Sequence, residues 1–241
     1  MPTINTRPSW RALLGSLLFT LWTGSPALAA PDRCEPPVFY GKPPVSKAKG
    51  STWCYPEFAA FVPGNEKFPR WVAYTRTTSK IQGAARVAQV PLTPKEERRA
   101  PYATRATAQA YTGHALAYLA PLDAMSSDRA REDAAIYTNA VPVPAAALPA
   151  WEAINAKLRT AAEKESLFVI SGPLYSGGDT KPSHLFAAAL SQVSLNTAAY
   201  VVSVTNPTEV RRVTLEVLEQ AAGLNIFPHL KIIRANPHVL K

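Results

Sequence analysis

Apolar and polar positions sort into short runs along this chain. Residues 70–75 (Arg-Trp-Val-Ala-Tyr-Thr) are aromatic and β-branched and predict a strand. Residues 79–84, with Gly83, read as a turn, and 86–90 as a second strand stopped by Pro91. Residues 94–105 are charged, contain Pro101 and predict a solvated loop or short helix. Residues 126–135 are polar and helix-compatible, and 136–140 suit a strand. The stretch 141–149 holds Pro142, Pro144 and Pro149 and reads as irregular.

Pro149 then opens a helix whose Trp151, Ile154, Leu158 and Ala161 share one face. Residues 167–171 predict a buried strand ended by Gly172-Pro173, followed by a turn over 175–182 around Gly177-Gly178. Two more strands are expected at 184–190 and 198–204. Asn206-Pro207-Thr208-Glu209 reads as the start of a last helix, lined by Val210, Val213, Val217, Leu218 and Ala221 and ended by Gly223. Strands and helices mix without βαβ alternation, so the fold class is α+β.

The first residues change the picture of the mature chain. Arg7 and Arg11, an apolar run from Leu13 to Trp22, and Ala27-Leu28-Ala29 form the three parts of a secretory signal peptide. The run is shorter than the ~20 residues of a spanning helix; an uncleaved anchor is the alternative. Cleavage near Ala29 predicts a secreted or periplasmic protein and lowers the net charge from +9 to +7. The organisation is then a signal peptide at 1–29, a proline-rich arm at 30–69, one folded domain at 70–230 and a basic tail at 231–241. A basic exported protein suits a polyanionic partner such as nucleic acid or anionic lipid, or needs none, the charge serving solubility. Cys34 and Cys54 are the two cysteines, and export favours a disulfide between them, worth roughly 3 kcal/mol in the chain-entropy model.

Several motifs fall at fixed intervals. Trp71-Val72-Ala73-Tyr74 precedes Thr112-Gly113-His114 and Leu119-Ala120-Pro121, and Tyr137-Thr138-Asn139 with Pro142 precedes Trp151 and Arg159. Together these resemble the core of the DNA/RNA non-specific endonucleases with a ββα-metal site. The resemblance implies a mainly antiparallel central sheet flanked by helices, a nucleic-acid substrate, and phosphodiester hydrolysis. That chemistry needs an activated water, a divalent cation, usually magnesium, and cationic side chains for developing charge.

Two placements on the family pattern compete. One takes His114 as general base and needs a four-residue insertion before Leu119-Ala120-Pro121. The other needs no gap: Tyr118 stands at the family His, 21 residues before Asn139, with Trp151 12 further on and Arg159 8 beyond that. The gapless placement is preferred, because four anchors keep their spacing. In either placement the metal-ligand positions hold Ala147 and Asn155; the first has no ligand atom and the second no charge. Asn139 or Asp123 would be alternative ligands. Arg86 and Arg159 match the family's phosphate-binding arginines, and ordinary surface ion pairing is the plain reading of both.

The resulting expectation is a member that binds nucleic acid or another polyanion, with hydrolysis impaired or lost and no cofactor, or magnesium if active. An active endonuclease using His114 is the rival. A non-catalytic envelope scaffold or interaction protein is the third class.

Overall fold

The computed structural model describes residues 42–64, 66, 68–86, 92, 94–95, 113–176, 181–208 and 210–230. The chain divides into units Met1–Ala30 and Pro31–Lys241, and every described residue belongs to the second.

Strands buried at every position need cover on both faces. Phe58–Pro63 (β3) and Trp71–Arg76 (β4) are buried throughout. They lie in a seven-stranded antiparallel sheet with Gly50–Cys54 (β2), Leu167–Tyr175 (β7), Pro182–Ser191 (β8), Thr197–Ser203 (β9) and Val210–Val213 (β10). The order is β10-β9-β8-β7-β4-β3-β2. Alternate residues feed two cores: Val72, Tyr74, Val169 and Ala187 face one, and Trp71, Ala73, Ile170 and Phe186 the other.

The first core is covered by the helix Leu148–Ala162, whose Trp151, Ile154 and Leu158 are buried. That helix is called α3 here, after Thr78–Ala85 (α1) and Asp128–Ala134 (α2). The second core is covered by Leu215–Ala222 (α4) with Ile226, Phe227 and Leu230. Val45–Ser46 (β1) pairs with Leu224–Asn225 (β11), bringing the two ends of the described chain together. A two-stranded ribbon of His114–Tyr118 (β5) and Ala140–Pro144 (β6) precedes α3. The α+β class and the antiparallel central sheet agree with the sequence reading.

Several elements differ from expectation. The proline-rich arm foreseen at 30–69 supplies β1, β2 and the buried β3, so its described part belongs to the folded domain and is not an irregular arm. The turn foreseen at 79–84 is helix α1, capped by Thr77, whose hydroxyl accepts from Lys80 N. Arg86 ends that helix and does not start a strand; residues 87–90 lie outside the described residues, as do most of 94–105. The strand foreseen at 136–140 begins only at Ala140, after a single 3-10 turn, Tyr137–Asn139. The stretch after it is a strand despite two prolines. Leu119 N bonds Asn139 O, so Leu116–Pro142 and His114–Pro144 are the pairs that exchange no backbone bond, and the missing N–H groups point away from β5.

β7 runs through Gly172-Pro173 to Tyr175. Its pairing with β4 stops at Ser171, so Pro173 meets a strand on one side only. A Cβ on Gly172 would sit 2.3 Å from Arg70 O, so this crossing needs glycine. The last helix starts at Leu215 behind the Thr214 cap; Val210–Val213 instead pairs with β9, following its β-branched content. Cys54 ends β2 and is not a free thiol, and Cys34 lies outside the described residues.

Candidate functional site: the cleft between the ribbon and helix α3

The ribbon and α3 form a ββα unit, and its strand end is fixed from three directions. Asn139 is wholly buried. Its amide donates to Ala120 O (2.8 Å) and Ala134 O (2.9 Å), and its oxygen accepts from Ala120 N (2.8 Å). Trp151 Nε1 donates to Tyr118 O (3.0 Å), and Ser171 Oγ donates to Leu119 O (2.7 Å). The backbone of Tyr118-Leu119-Ala120 is thereby set against α3 and the main sheet. Asn139 has spent both polar atoms on this task, which corrects its reading as an alternative metal ligand.

A cleft of about 500 Å³ opens beside this turn; its wall includes Tyr118, Asp123, Arg131, Glu152, Asn155 and Arg159. Tyr118, Asn155 and Arg159, which the gapless placement picks out, therefore share one site. His114 does not reach it. His114 is exposed at the far end of β5, four residues or roughly 13 Å of extended chain from Tyr118. Ala147 is buried one residue before α3 and offers only a methyl group. Arg86 is exposed at the end of α1 and is not part of the cleft wall.

The phenol of Tyr118 is pushed up to about 12, first by burial and then by Tyr137. It is neutral throughout the physiological range and can donate a hydrogen bond. Asn155 donates through Nδ2 to Trp151 O (3.2 Å), while its buried Oδ1 makes no hydrogen bond among the described residues.

Asp123 is the hub of the charges. Arg76 Nη2 donates to its Oδ1 (3.0 Å), and Arg159 Nη1 lies 3.7 Å from its Oδ2. Arg76 is fully buried over the ring of Tyr74, 5.9 Å from the centroid. The Tyr74 phenol is itself pushed up to about 12 by burial, with Arg76 opposing.

Magnesium keeps several of its waters and takes one or two carboxylates. Both Asp123 oxygens already face guanidinium groups, so a cation there would compete with Arg76 and Arg159. Among the described residues no three of His, Cys, Asp or Glu converge on a point. The wall carries Arg131 and Arg159 against Asp123 and Glu152, and only Arg76, buried behind Asp123, tips the balance toward an anion. As a cation ligand Asp123 would have to give up its two guanidinium partners, Arg76 and Arg159. Arg76, Arg131 and Glu152 are absent from the sequence reading. The one signal for Arg76 is a charge closing an otherwise apolar strand; Glu152 directly follows the anchor Trp151.

Comparison with known proteins bears on the whole of this architecture. The solved structure of the EndoG/EndoGI complex, concerned with the mechanism of EndoG inhibition, superposes with a TM-score of 0.63 at 15% identity. The match covers 76% of this chain and 88% of that one, and at this identity it speaks for the fold alone. No curated protein matches. A family model described as DNA/RNA non-specific endonuclease matches residues 40–231, which includes all three sheets, the ββα unit and every residue of the cleft. The chain belongs to the DNA/RNA non-specific endonuclease family.

Proposed function

We propose that this protein is an exported, nucleic-acid-binding member of its family in which phosphodiester hydrolysis is impaired. The observation that carries the reading is the exchange of chemistry at one cleft. In the gapless placement a neutral phenol, Tyr118, stands for the family base, and Asn155 in the cleft and Ala147 just before α3 stand for the metal ligands. The residue spacing keeps Arg159 beside them, with Arg131 on the wall and Arg76 behind. Guanidinium groups hold phosphate through paired N–H donors and need no metal for that purpose. A backbone phosphate is accordingly bound beside Arg159 while the water next to it stays unactivated. Arg86, exposed on α1, would act as a separate phosphate contact outside the cleft.

The test uses purified mature protein with plasmid DNA and with RNA, in magnesium, manganese or chelator. The expected result is retention of nucleic acid that weakens steeply with salt, and no cutting. Metal-dependent cutting lost in His114→Ala would establish the rival endonuclease. Neither cutting nor retention would leave the scaffold reading. Export is checked separately: the secreted protein should begin near Ala30 and carry no titratable thiol, as a Cys34–Cys54 disulfide requires.

A further inference from the structure

Helix α3 has a second basic flank. Positions 157 and 159 lie about 200° apart around a helix, so Lys157 points away from the Arg159 cleft. On that side α3 and β9 bound a groove of about 410 Å³. Its wall includes Lys157, Thr160, Lys164 and Tyr200, and no acidic residue. Tyr200 is half-buried on β9, its inner part packed on the first core. Lys157 Nζ stands 5.8 Å from the centre of its ring, near the outer limit of a cation–π contact. Arg212, exposed on β10, is the residue directly opposite Tyr200. Directly paired residues of antiparallel strands project from the same face, so Arg212 flanks the ring from the open edge of the sheet.

We infer that this groove is a subsite for single-stranded nucleic acid, with Tyr200 as the stacking platform for an unpaired base and Lys157, Lys164 and Arg212 as phosphate contacts. The inference rests on the nucleic-acid-binding reading above and adds the strand class and a place. An aromatic face between cations is what a sequence-tolerant single-strand site needs. The loose Lys157 contact leaves its ammonium able to turn to a phosphate while a base takes the ring. A duplex keeps its bases stacked and cannot present one to Tyr200. With the Arg159 cleft on the other flank, one strand laid across α3 would touch both grooves.

The experiment measures binding of the mature protein to a labelled short oligodeoxythymidine, to the same oligomer with abasic residues, and to a duplex, alongside thermal unfolding. Tyr200→Ala should weaken oligodeoxythymidine binding about tenfold and leave the abasic oligomer and the duplex unchanged. Tyr200→Phe should bind like wild type. Lys157→Ala and Arg212→Ala should each lower the slope of log K against log salt by about 0.7. Unaltered oligodeoxythymidine binding in Tyr200→Ala, or equal weakening on all three ligands, overturns the inference while the binding reading stands. Equal loss in Tyr200→Phe and Tyr200→Ala also overturns it. Wild-type protein that binds none of the three overturns both.

Discussion

Arg76 Nη2 donates to Asp123 Oδ1 at 3.0 Å from a guanidinium that has no solvent exposure, so the carboxylate on the cleft wall is neutralised from behind. Asp123 also faces Arg159. It occupies, as part of the protein, a position where an incoming phosphate would find two arginines.

Asp123→Asn tests that relationship twice. It leaves a buried guanidinium without its counter-charge, which costs 3–5 kcal/mol for a wholly buried pair; with Asp123 part-exposed, about 2 kcal/mol is expected. Urea denaturation reads this directly. The same variant should hold nucleic acid more tightly, since Arg159 loses its internal partner.

Arg159→Ala should weaken retention of duplex DNA and flatten the salt dependence by about one phosphate contact, or roughly 0.9 in slope. Its side chain is nearly half exposed and its ion pair is long, so thermal stability should move little. A large fall in stability with unchanged affinity would assign Arg159 to the scaffold.

Asn139→Ala should be among the most damaging substitutions in the cleft. It removes three buried hydrogen bonds and leaves Ala120 N, Ala120 O and Ala134 O to be satisfied elsewhere. A loss of about 3–5 kcal/mol is expected, visible in denaturant midpoint. The loss should be the same with or without magnesium, because the amide acts on backbone and not on an ion.

Alkaline pH should destabilise the fold. Tyr74 and Tyr118 are both held near 12, above the ordinary 10. Between those values the unfolded chain loses phenolic protons that the folded chain keeps, so stability, complete below pH 10, falls as pH rises toward 12. Tyr118→Phe should reduce that slope. Unfolding curves between pH 9 and 12 that show no difference from wild type would remove the burial argument for Tyr118.

Legibility in the sequence follows how local each signal is. The strand at Trp71, the polar helix within 126–135 and the buried face of α3 are written in adjacent residues and are correctly read from them. Gly83 looks like a turn residue, yet it sits inside α1 because Ser126 O packs where its Cβ would be, 2.7 Å away. That contact joins residues 43 positions apart and leaves no trace in the helix's own sequence. β6 is missed because proline content is judged without knowing which edge of the strand is paired. In the cleft, Tyr118, Asn155 and Arg159 can be located by spacing along the chain. Arg76 cannot, since its partner Asp123 lies 47 residues away and only the folded sheet brings β4 beneath the cleft.

The two prolines of β6 have a consequence for self-association. Because Pro142 and Pro144 point their ring nitrogens outward and Ala140 N donates to Tyr137 O, the outer side of β6 offers no free strand donor. A further strand, from this molecule or another, finds too few partners there to extend the ribbon. The β6 edge of the small sheet that carries Tyr118 is closed to edge-to-edge growth by its own sequence.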